Sequence, residues 1–168
     1  MDKLKQFMEK HKHVEKDFAK QMGWEYKENQ KKGSCFDFTS PDGAKIEAKF
    51  DWDSAVTGNH YLEFAQTSDG GQNWAPSGFS LSADATDYWA VVNKNYIRIY
   101  QVQKLKNWVK QNRADFKITI SRGGKNNNTV GLHSKAYLIP YEKLDQICFM
   151  KKKFYSTHTL ESSDEDIV

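Results

Sequence analysis

The sequence has few cysteines and no long apolar run. Its two cysteines, Cys35 and Cys148, lie far apart along the chain. This count gives neither a disulfide framework nor the paired spacing of a zinc site, so we expect two reduced, packed thiols. The longest apolar run, around residues 89–92, is far shorter than the roughly 20 residues that a membrane-spanning helix needs. These absences exclude a disulfide-rich scaffold and a helical membrane protein.

A secretion signal is also missing. Residues 1–6 alternate in charge, and no apolar stretch of the kind that a signal peptide requires follows them. We therefore expect a cytoplasmic location. The chain has 168 residues, of which 38% are hydrophobic and 14% aromatic, so it has single-domain size and enough side chains for a core. We expect one domain over residues 1–150 and a disordered tail over 151–168, first basic and then acidic.

Charge is distributed unevenly, although the net charge is only +3. Residues 37–93 carry nine acids and two lysines, whereas residues 94–125 carry nine lysines and arginines and one acid. An acidic segment beside a basic one suits a protein that binds divalent cations in one place and a polyanion next to it. Solvated faces of helices and strands give the same pattern, so charge alone leaves both interpretations open.

Hydrophobic periodicity predicts a mixture of helices and strands. Apolar residues at three- and four-residue spacing indicate helices over 2–22, 102–112 and 141–150. Alternating and β-branched segments indicate strands. The expected strands cover residues 34–39, 45–52, 61–66, 88–92, 96–100, 116–121 and 136–139. The order of these elements predicts an α/β fold.

The first two expected strands form a hairpin around the turn residues 40–43. Side chains alternate between the two faces of a strand, so Glu47 and Lys49 share one polar face. With Gly43 in the left-handed position of a bulged turn, Asp37 lies opposite Glu47. Directly opposite residues have Cβ atoms about 4.5–5.5 Å apart, which is close enough for two carboxylates to hold one hard cation.

Two facing carboxylates repel each other unless a proton or a cation lies between them. Bound Mg²⁺, or Mn²⁺ in its place, removes the repulsion, and the carbonyl of Ala48 can supply a third oxygen ligand. The ammonium of Lys49 lies on the same side, where it can orient an attacking water and offset charge on a phosphate. Asp37, Glu47, Ala48 and Lys49 therefore provide the parts for metal-assisted phosphodiester hydrolysis. A solvated polar face of an ordinary hairpin is the alternative.

An acid, a hairpin and then Glu-x-Lys on the next strand, here Asp37 followed by Glu47-Ala48-Lys49, resembles the PD-(D/E)XK nuclease superfamily. In that superfamily the two acids bind the metal and the lysine assists the attack by water. Phe36 stands where the family name has Pro. Three further stretches are similar to small phage-type members: Gly58–Glu63, Ser77–Phe79 and Ala83–Trp89.

The resemblance covers residues from about 2 to 100. It implies a restriction-endonuclease-like fold, in which a mixed central β-sheet is flanked by α-helices. It also implies a Mg²⁺-dependent deoxyribonuclease, an endonuclease for duplex or branched DNA, in the host cytoplasm if a phage encodes it. A two-fold homodimer would suit the cutting of both strands. Many members draw a further acid from the first helix, where Glu15 matches, and Asp51, His60 and Glu63 are candidates for auxiliary roles.

Two other triplets share the acid-x-Lys spacing, namely Glu25-Tyr26-Lys27 and Asp115-Phe116-Lys117. Neither has a partner acid on a neighbouring strand across a recognisable turn. The partner acid therefore distinguishes the 47–49 triplet.

The basic segment supplies candidate DNA contacts. Its cations are interleaved with Tyr96, Tyr100 and Trp108, which suits phosphate contacts, although the rings themselves are better explained as core. The predicted nucleic-acid-binding residues are Lys94, Arg98, Lys104, Lys106, Lys110, Arg113, Arg122 and Lys125.

Two other classes of protein fit the same sequence. A non-catalytic nucleic-acid-binding protein on the same scaffold would bind in a salt-dependent way and ignore both chelator and Glu47→Ala. A protein-interaction module, such as a phage-encoded inhibitor, would bind no nucleic acid.

Overall fold

The computed structural model describes residues 3–27, 36–122 and 131–156. Cys35, Lys125 and residues 157–168, which carry predictions, lie outside these ranges. Within them, no helix is both long enough and apolar enough to cross a membrane. The α-helices are α1 Lys3–Met22, α2 Ser54–Thr57, α3 Phe79–Ser82, α4 Val102–Asn112 and α5 Tyr141–Leu144, and a 3₁₀ helix covers Arg113–Asp115. The strands are β1 Glu25–Tyr26, β2 Phe38–Thr39, β3 Lys45–Phe50, β4 Asn59–Thr67, β5 Ala75–Pro76, β6 Tyr88–Val92, β7 Tyr96–Gln101, β8 Lys117–Arg122, β9 His133–Pro140 and β10 Met150–Lys153.

The strands form two sheets. Sheet A is mixed and has the order β1-β2-β3-β6-β7-β10, in which β3 and β6 are the parallel pair. Sheet B is antiparallel and has the order β5-β4-β9-β8. The predicted α/β class is confirmed, and so are the β2–β3 and β6–β7 hairpins. The sequence did not predict that the strand after β3 leaves sheet A and starts a second sheet.

Helix α1 covers one face of sheet A. It ends as predicted at Gly23, which has a φ of 68°, and Trp24 donates a 2.9 Å hydrogen bond back to the Ala19 carbonyl. Val14 and Phe18 of α1 are fully buried in a cluster with apolar side chains of β2, β3, β6 and β7. Burial of this stripe, rather than intrinsic propensity, supplies most of the stability of such a helix.

The opposite face of sheet A packs on sheet B and α4. Trp89 and Tyr100 point to this side and share a core with Leu62 of β4 and with Leu105 and Val109 of α4. The molecule therefore has α1 on one side of sheet A and sheet B with α4 on the other. Alternate residues of β3 face these two layers, so the polar residues of the hairpin lie on the sheet B side.

Two predictions for the C-terminal region are wrong. The helix expected over 141–150 ends at Leu144, and the tail expected from residue 151 begins instead with β10, which pairs with β7. Phe154 follows β10 and is only 5% exposed in the core under α1. The lysines of β10 were interpreted as a solvated tail, but lysines are also common on edge strands, where they discourage pairing with other chains.

Candidate metal centre and adjoining cleft

The β2–β3 hairpin brings two acids together. Phe38 pairs with Ile46 and Thr39 with Lys45, and the N–H of Asp37 donates to the Ile46 carbonyl at 2.8 Å, which leaves the Asp37 carboxyl within hydrogen-bond reach of Glu47. The turn has Gly43 at a φ of 86°, in the left-handed region that the bulged turn requires. Only residues 38–39 of the expected strand 34–39 are assigned to β2, and 34–35 lie outside the described ranges.

The Asp37 carboxylate is held by the backbone of β3. The N–H of Ala48 donates to Asp37 Oδ2 at 3.1 Å. The N–H and C=O of one residue in a strand point to the same side. The Ala48 carbonyl therefore points towards the side of β3 on which Asp37 lies, as a third oxygen ligand would require.

The Lys49 ammonium lies between an acid and an aromatic ring. It donates to Glu47 Oε1 and lies 5.4 Å from the centre of the Trp89 ring. Trp89 is in place because β6 pairs in parallel with β3, with Glu47 and Trp89 as register partners. Both contacts hold the ammonium on the face of sheet A that carries the acid pair.

Burial raises the pKa values of both acids. Glu47 is only 8% exposed, and its pKa rises to about 7, mainly by desolvation and then by repulsion from Asp37, against the opposing effect of Lys49. Desolvation likewise raises the pKa of Asp37, and the charge of Glu15 adds to the rise. The two carboxyl groups are close enough to share a hydrogen bond. A proton, or a cation in its place, therefore stabilises this pair.

The oxygen donors of the pair suit a hard cation. Asp37, Glu47 and the Ala48 carbonyl would hold Mg²⁺ or Mn²⁺, which prefer carboxylate and carbonyl oxygens. Within the described residues, no cluster of three or more His, Cys, Asp or Glu side chains is arranged to hold a metal ion. A bound cation would therefore depend on two carboxylates, one carbonyl, water and substrate oxygens, which is a common arrangement for Mg²⁺.

Glu15 lies close enough to influence the pair. Its charge contributes to the raised pKa of Asp37. Its carboxylate accepts a hydrogen bond from the hydroxyl of Tyr26 and lies 3.2 Å from Nδ1 of His11. The structure thus brings Glu15 near the acid pair, held by contacts with α1 and β1.

A chain of polar contacts involves two of the auxiliary candidates. His60 is 2% exposed, with Nδ1 3.4 Å from Asp51 Oδ2 and Nε2 3.4 Å from Nε1 of Trp89. An indole N–H can only donate, so Nε2 accepts and the His60 proton is on Nδ1, facing Asp51. Asp51 also accepts the backbone N–H of Ser54 at 3.2 Å. Asp51 and His60 therefore support the Trp89 ring that lies next to Lys49.

Beside the acid pair, a cleft of about 530 Å³ opens between the end of β3 and sheet B. Lys49 and Trp89 line it from sheet A, and Glu63, Ser121 and Leu138 line it from sheet B. Glu63, the third auxiliary candidate, accepts a 2.7 Å hydrogen bond from the hydroxyl of Ser77. Lys49 lines this cleft and also contacts Glu47, so it links the cleft to the acid pair.

Arg98 is a correction to the predicted DNA contacts. It is 5% exposed, its Nε donates to Asp145 Oδ1 at 2.8 Å, and its guanidinium lies 3.9 Å from the centre of the Tyr141 ring. By strand alternation Arg98 shares the face of β7 that carries Tyr100, which packs on sheet B and α4. It therefore cannot reach a phosphate without unfolding this region.

The other predicted cations within the described ranges are exposed but do not form one patch. Lys104, Lys106 and Lys110 lie on α4, and Lys106 pairs with Asp84 at 2.5 Å. Arg113 follows α4, and Arg122 ends β8 at the edge of sheet B. Lys94 is in the β6–β7 turn, separated from α4 by the length of β7, about 20 Å. The buried Tyr100 and the half-buried Trp108 belong to the core, as expected.

Comparisons of the chain with protein-family models, with curated proteins and with solved structures found no match. The fold and the site therefore rest on the residues themselves.

Sequence reasoning missed several residues that shape the site. Trp89 was assigned only to a buried strand, Ser77 had no role, and Asp53 of the cleft was not considered. Only the parallel register of β3 and β6 brings Trp89 to Lys49, and sheet order is not encoded in local spacing. Tyr26, whose hydroxyl donates to Glu15, is the middle residue of the Glu25-Tyr26-Lys27 triplet. A phenol can donate to a carboxylate, so the sequence did contain a signal for this contact.

Proposed function

We propose that this chain is a metal-dependent DNA nuclease, which hydrolyses phosphodiester bonds at the Asp37–Glu47 pair with the assistance of Lys49. The pair itself is the observation that carries the proposal. Two acids lie within hydrogen-bond reach of each other, the pKa of one is raised to about 7, and an ammonium adjoins them. An ordinary solvated hairpin face would leave its acids exposed. Acids that are buried together cost stability, which a bound cation offsets.

The residues of the site have distinct roles in this proposal. Asp37, Glu47 and the Ala48 carbonyl would hold Mg²⁺, or Mn²⁺ in its place, which supplies Lewis-acid activation of the phosphate. Lys49 donates to the attacking water and offsets the charge that builds on the phosphate oxygens. Hydrolysis joins the water oxygen to phosphorus, breaks the bond to the leaving sugar oxygen, and passes a water proton to that oxygen.

The finer fold assignment, restriction-endonuclease-like, is part of the same proposal. Its support is the convergence of acids from three elements: Glu15 from α1, Asp37 before β2 and Glu47 from β3. Sheet A is mixed and is covered by α1 on one face, as the superfamily resemblance implies. A homodimer, a phage-type origin and the host cytoplasm remain predictions that accompany it.

A cleavage assay on four substrates tests the proposal. Supercoiled plasmid, linear duplex, single strand and a four-way junction are each incubated with Mg²⁺, Mn²⁺ or chelator. We expect cleavage that requires a metal and is lost in Glu47→Ala. It should persist in Glu25→Ala, which changes the exposed acid of another Glu-x-Lys triplet. Salt-sensitive DNA binding without cleavage in any metal would contradict the proposal and favour the non-catalytic alternative.

A further inference from the structure

The cleft beside Lys49 has the size of a small-molecule site. Its volume of about 530 Å³ falls within the roughly 300–1,000 Å³ typical of such pockets. Its walls come from both sheets, with Trp89 on one side and Tyr61 and Leu138 on the other. A single nucleoside unit fits these dimensions, whereas a duplex does not.

The charges of the cleft disfavour a phosphate inside it. Asp51, Asp53 and Glu63 line it, and Lys49, the one lysine or arginine among the described residues that line it, is paired with Glu47. Three carboxylates outnumber one ammonium, so the net charge of the lining repels an anion. The occupant that this lining favours is therefore not an anion.

The lining also offers hydrogen-bond groups that a nucleobase can use. Glu63 Oε1 accepts the Ser77 hydroxyl, and Oε2 accepts no hydrogen bond from any of the residues that the structure describes. Carboxylate oxygens accept from the amino groups of bases. The half-buried Tyr61 adds aromatic surface, and contact between bases and aromatic rings tolerates any base.

The wall that carries Glu63 is pre-formed. Gly78 has a φ of 51°, and a Cβ at this position would lie 2.8 Å from the Glu63 carbonyl oxygen and 2.9 Å from the Glu63 Cβ. Only glycine permits this close approach without a shift of backbone. The Ser77–Gly78 segment thus holds Glu63 in place before any ligand arrives.

We propose that the cleft binds one unpaired nucleobase of the substrate strand, next to the phosphate that reaches the Asp37–Glu47 pair. This inference rests on the proposed nuclease function and names its substrate class. A base within a duplex is stacked and paired and enters such a pocket only by leaving the helix. The preferred substrates are therefore single strands and the unpaired regions of branched DNA, rather than intact duplex.

A binding experiment without turnover tests this inference. The probe is a short single strand of abasic-analogue residues that carries a single 2-aminopurine, and the reference strand is wholly abasic. With Ca²⁺ in place of Mg²⁺, the wild type should bind the probe about tenfold or more tightly than the reference, and the 2-aminopurine fluorescence should change. Equal affinity for the two strands, or no change in fluorescence, would overturn the inference.

Two tryptophan substitutions on one strand provide the matched control. Ser121→Trp fills the cleft from β8, whereas Ile120→Trp places the same ring on the opposite face of β8, where Ile120 is already 49% exposed. Ser121→Trp should abolish the preference for the probe and Ile120→Trp should keep it. Loss of the preference in both variants, or in neither, would overturn the inference.

Hydrolysis of bis(p-nitrophenyl) phosphate separates the two proposals. This phosphodiester has no nucleobase, so it reports on the acid pair alone. If wild type shows base-dependent binding but hydrolyses neither this compound nor DNA in any metal, the nuclease proposal fails while the base site stands. If wild type hydrolyses it without base-dependent binding, the base site fails and the nuclease proposal stands.

Discussion

Asp37 lies beside Glu47 across the β2–β3 hairpin, and the Asp37 carboxylate accepts the N–H of Ala48 at 3.1 Å. Burial raises the pKa of both acids, and the charge of Asp37 adds to the rise at Glu47, whereas the hydrogen bond with Glu47 lowers the pKa of Asp37. Lys49 lowers the pKa of both acids, but the pKa of Glu47 still lies above its ordinary value. This arrangement costs stability in the absence of a cation, and we expect a cation to bind between the two acids.

The first prediction concerns stability and pH in the absence of divalent cations. The pKa of Glu47 is about 7 in the folded protein against an ordinary 4.5, so the folded state binds this proton more tightly. Stability from this group is fully present below pH 4.5 and is lost as pH rises towards 7. Above pH 7, Glu47→Gln should be more stable than wild type by about 1–3 kcal/mol in urea unfolding.

Two controls accompany this prediction. Near pH 4.5 the difference between Glu47→Gln and wild type should shrink, because both then carry a neutral side chain at position 47. Above pH 7, Mg²⁺ should stabilise the wild type but not the variant, since a ligand of the folded state adds stability by mass action. A difference between the two proteins that is independent of pH would contradict the account of the pair.

The second prediction concerns electrostatic binding of DNA by α4. Lys104 and Lys110 are exposed on this helix, and each phosphate contact adds about 0.9 to the salt slope of duplex binding. The double variant Lys104→Glu/Lys110→Glu should weaken binding and lower the slope by about two. Fluorescence anisotropy across a salt series measures both quantities. Lys153→Glu, on the edge strand β10, is a single charge reversal away from α4 and should change neither one if the contacts are on α4.

The third prediction separates Arg98 from the exposed cations. Arg98 is buried, with Asp145 as its ion-pair partner and Tyr141 under its guanidinium. Arg98→Met should destabilise the protein by about 2 kcal/mol, because removal of one partner leaves Asp145 poorly compensated. The loss is limited by Lys151, which also contacts Asp145 at 2.6 Å. DNA affinity of the folded variant should stay at the wild-type value, and a selective loss of affinity would show that Arg98 contacts DNA.

The fourth prediction tests the C-terminal boundary of the domain. Phe154 is buried beneath α1, and its ring contacts Trp52 at 6.0 Å between centres. Phe154→Ala should cost about 3–5 kcal/mol of unfolding free energy. Tyr155→Ala, one residue further along and 71% exposed, should cost less than about 0.5 kcal/mol. Similar values for the two variants would mean that β10 does not hold Phe154 in the core.

The hairpin could be predicted from the sequence because its information is local. The turn residues 40–43 set the register, and strand alternation then assigns Glu47 and Lys49 to one face. The position of Trp89 depends on its parallel pairing with Glu47, 42 positions earlier in the chain, and turn chemistry says nothing about it. β10 was missed for a related reason. Its lysines look solvated in the sequence, and they form a strand only because they pair with the open edge of β7.

The residues that line the cleft were even harder to predict, because they depend on strand pairing between distant parts of the chain. Glu63 and Ser121 meet across it only because sheet B brings β4 and β8 to the two sides of β9. The sequence indicated each strand but not their assignment to a separate sheet. Site residues on adjacent elements could therefore be found by spacing, while those contributed by sheet B could not.

The most direct test of the central claim is the rate of DNA cleavage in Mg²⁺ for two lysine variants, measured side by side. Lys49→Ala removes the ammonium next to the acid pair, and Lys27→Ala removes the lysine of the Glu25-x-Lys27 triplet, whose 2.7 Å ion pair lies on a short edge strand. We predict that Lys49→Ala cuts at least about 100-fold more slowly than wild type, while Lys27→Ala cuts at the wild-type rate. Equal rates for wild type and Lys49→Ala would contradict the claim that this hairpin is a nuclease site.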